Sequence, residues 1–291
     1  MTTKRQASDL VHLALPKGRM EAGVLALLAD TGIRVTVGRR GYRPALSLDG
    51  FETKILKPQN IVEILHLGSR DVGFAGADWV AELAVDVVEL LDTGLDPVRV
   101  VAAATPEFAE NGLADEPFVV ASEYERLTRA WLERRGLEAT FVQSYGATEV
   151  FPPEDADCIV DNMATGETLQ ANGLVVVDEL MRSSTRLYAH PRALEVPEKR
   201  ARIETLILLL RSVLDARQRV MLEVNVAADR LEAVVEVLPC MREPTMAPLH
   251  GDQGFALKAA VPRADLPRVI PEIKARGGTD IVVTALAQIV P

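Results

Sequence analysis

The chain has 291 residues, 48% of them hydrophobic, which suits two or three domains with sizeable cores. A formal net charge of −10 argues against a general nucleic-acid surface, while local donors can still bind anionic small molecules. Two cysteines, Cys158 and Cys240, make neither a disulfide framework nor a metal-ligand spacing, and no apolar run reaches membrane-span length. With a polar start, MTTKRQASDL, the expectation is a cytoplasmic protein with no membrane or nucleic-acid partner.

In chain order, VHLAL at Val11 to Leu15 reads as a buried strand, broken by Pro16-Lys17-Gly18-Arg19 and followed by a helix from Met20 to Thr31. Apolar runs recur at Lys54 to Leu56, Val72 to Ala75 and Val98 to Ala104. Helix-like segments at Gln59 to Leu67 and Asp78 to Leu83 lie between them. This is the βαβ rhythm of a mainly parallel sheet. A second unit opens with a strand at Phe118 to Ala121. There Ser122-Glu123-Tyr124-Glu125 reads as a capping box for a helix ending at Arg135-Gly136. Strands follow at Leu137 to Gln143 and Leu174 to Val177. Pro197 to Gln218 reads as one long helix with Ile203, Ile207, Leu210 and Leu214 on its apolar face. The remainder, with strands at Val220–Val226, Thr245–His250, Phe255–Val261 and Asp280–Val290 and helices at Ala228–Leu238 and Ala264–Arg276, has the order βαββαβ of a ferredoxin-like unit.

The segment DCIVDNMATGETL, Asp157 to Leu169, carries the chemistry. An apolar strand ends in an acid, Asp161, and meets a loop of small and hydroxyl residues, Ala164, Thr165, Gly166, Glu167 and Thr168. Successive backbone N–H groups and threonine hydroxyls can surround an anion, a helix N-terminus adds partial positive charge, and Gly166 allows close approach. An acid-tipped strand before Thr-Gly-x-Thr suits the 5-phosphate of phosphoribosyl pyrophosphate, with Asp161 reaching ribose hydroxyls or a metal-bound water. The plainer alternative makes Thr165 only a helix cap and Gly166 only a turn residue. The four histidines show no ligand spacing.

The run from Asp157 to His190 resembles the signature of the ATP phosphoribosyltransferase family, through Asp161, Thr165-Gly166-Glu167-Thr168-Leu169, Asn172-Gly173-Leu174, Ser183-Ser184 and Arg186. LALPKGRM, DVGFAGADWVAEL and LLDTGLDPVRVVAAATP extend the likeness toward the N-terminus. RVMLEVNV, EPTMAPL and GGTDIVVTAL resemble the regulatory domain of the family's long form. The sequence departs from the pattern in three places. Lys57-Pro58 stands where the family commonly has Arg-Pro, the stretch between Glu149 and Asp161 is about one residue short and carries Pro152-Pro153, and Asn162 replaces an aliphatic residue.

The resemblance implies two α/β domains like those of periplasmic binding proteins with an active-site cleft between them, followed by the ferredoxin-like domain. The implied boundaries are 1–106 with 186–216 returning to it, 107–185 carrying the phosphate loop, and 217–291. It implies transfer of a phosphoribosyl group to N1 of ATP, with magnesium, feedback inhibition by histidine, and dimers assembling to hexamers. In that frame residues 164 to 168 hold the 5-phosphate and Asp161 the ribose. Lys17, Gly18, Arg19, Lys57, Gly76 and Asp78 meet ATP or pyrophosphate, and Lys17, Lys57 and Asp161 are the catalytic candidates. Asp78 has a plain N-cap as its alternative. Glu223, Thr245 and Thr284 are the inhibitor candidates, with outward strand positions as theirs. The magnesium ligands stay unassigned. Competing readings are a non-catalytic small-molecule sensor and a phosphoribosyltransferase with another acceptor.

Overall fold

The computed structural model describes residues 9–37, 41–111, 113, 116–251 and 253–290. Contacts divide the chain into two compact units, one made of Met1–Ala29 with Ile33–Glu204 and the other of Asp30–Gly32 with Thr205–Pro291.

The larger unit opens with β1 (Val11–Pro16), α1 (Arg19–Asp30), the short pair β2 (Val35–Thr36) and β3 (Ala45–Leu46), then β4 (Phe51–Leu56) and α2 (Pro58–His66). Next come β5 (Val72–Gly76), α3 (Ala77–Leu83), β6 (Val88–Ala104), α4 (Pro106–Asn111), β7 (Phe118–Ser122) and α5 (Glu125–Arg135). β8 (Ala139–Gln143), β9 (Cys158–Met163), α6 (Glu167–Ala171), β10 (Val175–Ala189), α7 (Pro191–Glu195) and α8 (Pro197–Arg217) complete the run, and α8 contains the boundary between the units. One eight-stranded sheet runs β4-β1-β5-β10-β6-β9-β7-β8. β1 is parallel to β4 and β5, and β7 is parallel to β8 and β9, as the βαβ rhythm requires. Val11, Leu13, Ala14 and Leu15 are all but fully buried, the mark of a strand covered on both faces.

Two strands are far longer than their apolar cores. β6 begins at Val88 rather than Val98, and β10 runs on to Ala189. The added stretch of β6 contains Asp92, Thr93, Gly94, Asp96 and Pro97, residue types common in turns, and its partner contains the polar run Ser183, Ser184, Thr185 and Arg186. The ladder holds because it shifts register repeatedly and because side chains supply the missing bonds. Thr185 donates to Asp96 at 2.9 Å, Ser184 donates to Asp92 at 2.7 Å, and Arg186 pairs with Glu89 at 2.8 Å. The N-terminal part of β10 lies against Val98–Ala104, while Thr185–Ala189 lies between β5 and the start of β6. These two strands thus join the β4-β1-β5 half of the sheet to the β9-β7-β8 half.

The expected capping box does not form. Ser122 Oγ accepts from the Tyr124 N–H at 2.8 Å and donates to the Val160 carbonyl at 2.6 Å, while Glu125 pairs with Arg129. The start of α5 is satisfied from α3 instead. The Glu82 carboxylate accepts from the N–H groups of Arg126 at 2.8 Å and Leu127 at 2.9 Å. A local pattern was displaced by a partner 44 residues away.

The smaller unit contains β11 (Arg219–Val226), α9 (Leu231–Val235), β12 (Thr245–Pro248), β13 (Phe255–Pro262), α10 (Leu266–Ala275) and β14 (Thr279–Ala285). Its antiparallel sheet has the order β12-β13-β11-β14, the ferredoxin-like arrangement. β11 alternates as expected. Val220, Leu222, Val224 and Val226 face a core with Leu257, Val261, Val234, Val269 and Ile273. The last strand stops at Ala285, short of the expected Val290.

Candidate active site

The strand β9 presents Asp161 at the end of a fully buried run, Cys158, Ile159 and Val160. The chain then turns through Ala164, Thr165 and Gly166 into α6. Gly166 has φ +87°, and a Cβ there would lie 3.1 Å from the Met163 sulfur, so both backbone and space call for glycine. α6 has only five residues, too short for its dipole to matter much. Anion binding here rests on the loop's amides and hydroxyls. The plainer capping role is not what forms: Gly166 holds the N-cap position of α6 with no side-chain cap bond, and Thr165 Oγ1, one residue earlier, accepts only a long bond, 3.4 Å, from the Glu167 N–H.

A cavity of about 250 Å³ opens over this loop. Asp161, Ala164, Thr165, Gly166 and Thr168 line it, joined by Arg19 from the start of α1, Glu149 and Asn162. Glu167, grouped with them on sequence, is exposed and outside the lining. Burial pushes the Asp161 carboxyl up to about 6; Glu149 and Glu123 push the same way, while the Asn162 N–H and the Arg19 guanidinium oppose them. That N–H donates to Asp161 Oδ1 at 2.6 Å.

Arg19 is the one member of the Lys17-Gly18-Arg19 group that lines this cavity. Lys17 and Lys57 stand exposed at the C-terminal ends of the adjacent parallel strands β1 and β4, where Pro16 pairs with Leu56 and the Lys17 N–H reaches the Leu56 carbonyl at 2.8 Å. That edge is where open α/β sheets place ligands. The Lys17 ammonium lies 5.3 Å from the centre of the Tyr42 ring. Lys57 occupies the N-cap position of α2 with no side-chain cap bond, and Pro58 follows it.

Asp78 is 3% exposed and does not cap its helix; Gly76 holds the N-cap position. The Asp78 carboxylate turns back, and a Cβ on Gly76 would collide with it. It accepts from Ser183 Oγ at 2.7 Å and from the Tyr124 hydroxyl at 2.7 Å, while the Asp78 N–H donates to Ser183 Oγ at 3.0 Å. Burial and the neighbouring carboxylate push the Tyr124 pKa far upward, so its hydroxyl is a donor at every working pH. Tyr124 also stacks at 4.8 Å on Trp79. Local sequence points to none of these roles: Tyr124 falls inside an apparent capping box, Ser183 inside the family pattern, and Glu149 at the edge of the shortened segment.

In the smaller unit, a cavity of about 350 Å³ is lined by Glu223, Thr245 and Lys258 among others. Glu223 pairs with Lys258 at 2.9 Å, and Lys258 faces Thr245 across the ladder. Thr284 sits opposite Met221 on β14, exposed and outside that lining.

The family model for ATP phosphoribosyltransferase matches residues 57–212, and the model for the HisG C-terminal domain matches residues 216–288. An ATP phosphoribosyltransferase of Chlorobium luteolum is 34% identical over 281 residues, covering 94% of this chain and 96% of that protein. One from Pelotomaculum thermopropionicum is 33% identical over 287 residues, covering 97% and 99%. Among solved structures, a chain of the ATP phosphoribosyl transferase (HisG:HisZ) complex from Thermotoga maritima superposes with a TM-score of 0.63 at 24% identity, covering 71% of this chain and 99% of that one, a likeness of fold. With both domain models matched and relatives aligned over nearly the whole length, the chain belongs to the ATP phosphoribosyltransferase family, in its long form with the C-terminal domain.

Proposed function

We propose that the chain transfers the phosphoribosyl group of phosphoribosyl pyrophosphate to N1 of ATP, giving phosphoribosyl-ATP and pyrophosphate. The observation that carries this reading is the cavity over the β9 loop, where an acid, two threonines and Gly166 face Arg19. The C1–O bond to pyrophosphate breaks as the N1 lone pair forms the new C1–N1 bond. N1 has no proton to lose, so attack needs no base, and the protein's part is positioning and electrostatics. Residues 164 to 168 hold the 5-phosphate and Asp161 the ribose hydroxyls. Arg19, Lys17 and Lys57 meet the pyrophosphate and the ATP phosphates; Gly76 shapes the strand end beside the nucleotide, and Asp78 acts there through Tyr124.

Magnesium fits as a companion of the pyrophosphate. Among the described residues no three acidic, histidine or cysteine side chains cluster as a cage, and Asp161 and Glu149 are the cavity carboxylates that would meet waters bound to the ion. When bound, the ion would neutralise leaving-group charge. We assign 1–106 with 186–216 and 107–185 to the two catalytic domains and 217–291 to regulation; the register of β10, which passes to β5 at Thr185, accords with the return at 186, while Arg99–Ala104 pair with β9 of the second half. Among the described residues no helix is long and apolar enough to cross a membrane. A cytoplasmic setting accords with two free cysteines. Mixing the chain with ATP and phosphoribosyl pyrophosphate should change the ultraviolet absorbance of the adenine; no change with either substrate pair member varied would argue for a sensor.

Lys57→Ala should lower kcat/KM sharply, and Lys57→Arg should match or exceed the parent, because the guanidinium restores a planar fork for phosphate oxygens. Steady-state rates of the three proteins decide it, and equal rates would make Lys57 an ordinary surface lysine.

Histidine is the proposed inhibitor, with the Glu223 carboxylate taking its amine and Thr245 and Thr284 its polar ends at a subunit contact. The proposed assembly is of dimers building to hexamers. Histidine should inhibit the full chain with a coupling of about 1–3 kcal/mol and leave a truncation ending near Arg219 unaffected. A full chain that neither binds histidine nor slows in its presence would make the tail a structural module.

A further inference from the structure

Asn162 lies at the end of β9, exposed, on the face of Cys158 and Val160, which pack against Tyr124. An aliphatic side chain there would simply extend that apolar face. The amide instead reaches three partners. Nδ2 donates to the Tyr124 hydroxyl at 3.1 Å and to Asp161 Oδ1 at 3.3 Å, and Oδ1 accepts from Arg19 Nη1 at 3.3 Å.

The orientation of that amide is fixed by its neighbours. The single Tyr124 proton goes to Asp78, so the tyrosine oxygen must accept, and only the NH₂ end of Asn162 can donate to it. The oxygen end is thereby turned toward Arg19, a donor-only group. Arg19 follows Gly18, which has φ +86°, and is otherwise an exposed, flexible side chain at the start of a helix. A long side chain loses rotamer freedom when it grips an anion, and one already held loses less.

We propose that Asn162 is a positioning residue for phosphoribosyl pyrophosphate, holding Arg19 at the phosphate-loop cavity through a hydrogen-bonded chain that runs by Tyr124 and Asp78 to Ser183. The role rests on the transfer reading for its substrate, but its physical content is the pre-placement of one cation for one anion. It joins five segments far apart in sequence: the start of α1, the β5–α3 turn, the start of α5, the end of β9 and the middle of β10. It acts through Arg19 and touches the reacting atoms only indirectly.

The test is a double-mutant cycle read by calorimetric binding of inorganic pyrophosphate, which does not depend on turnover. Asn162→Leu should weaken binding about tenfold in the parent and by less than about twofold in an Arg19→Ala background. Tyr124→Phe, which keeps the ring on Trp79 but removes the hydroxyl, should reproduce the Arg19-dependent loss. Thermal unfolding checks that each variant is folded, and Asn162 is exposed enough for leucine to be tolerated. Equal losses in both backgrounds, no loss in the parent, or no pyrophosphate binding by the parent would overturn the proposal. The transfer reading stands or falls separately on product formation. A parent that makes no product yet shows the coupling would keep Asn162 as an anion-positioning residue and remove only the reaction.

Discussion

Gly166→Val should abolish measurable binding of phosphoribosyl pyrophosphate, a loss greater than about hundredfold, while Thr168→Ala should cost roughly 1.5–3 kcal/mol of binding, the range of a charge-assisted hydrogen bond. The two differ because they attack the loop differently. Thr168 contributes one hydroxyl, and the surrounding amides survive its removal. Gly166 sets the path of the loop at φ +87°, a region closed to β-branched residues, and its Cβ would press on the Met163 sulfur at 3.1 Å. Valine must therefore move the backbone that carries the N–H donors. Titration calorimetry with each variant measures both effects, and parental affinity in both would show that the phosphate sits elsewhere.

Asp161→Asn should lower kcat/KM by about 10²–10³, the loss expected when a preorganised electrostatic partner is removed, without destabilising the fold. The pH behaviour separates those two effects. The carboxyl titrates near 6 in the folded chain against 3.8 for a free aspartate, so folding favours its protonated form. Its ionised form is thus a stability cost above about pH 6, one that is relieved as the pH falls toward 4. Asparagine removes that cost, and the variant should melt at or above the parental temperature at pH 8. The parent's kcat/KM should rise with pH through about 6 as Asp161 ionises, and the variant should lose that rise. A variant that keeps the same pH limb would show that Asp161 does not carry it.

Much of the fold was legible where burial is simple. VHLAL, the run before Asp161 and the alternation of Val220 to Val226 each report their surroundings through side-chain type alone, and each became the expected strand. The β6–β10 ribbon was not legible, because Asp92, Asp96, Ser184, Thr185 and Arg186 stabilise one another across the ladder. Polar residues whose partners lie some 90 positions away look like loop residues to any local pattern. The start of α5 went wrong for the same reason, with Glu82 doing what Ser122 and Glu125 were expected to do.

The site divides along the same line. Asp161, Thr165, Gly166 and Thr168 are contiguous, so their chemistry could be read from spacing, and the cavity gathers all of them. Arg19 joined them from a separately recognised turn. Asp78, Tyr124, Asn162 and Ser183 form one hydrogen-bonded group drawn from four places in the chain, and a buried acid beside a helix start looks like an N-cap until its partners are known. The same contrast explains why Glu223 and Thr245 share a cavity while Thr284 lies outside its lining. Strand register decides that, and residue type does not reveal it.

Following ATP, phosphoribosyl pyrophosphate and pyrophosphate together in one reaction with magnesium tests the transfer itself. Equimolar loss of ATP and release of pyrophosphate, with a new species carrying the phosphoribosyl group on the adenine ring, is the expected result. ATP and phosphoribosyl pyrophosphate both bound but unchanged, or pyrophosphate released only when another acceptor replaces ATP, would contradict it.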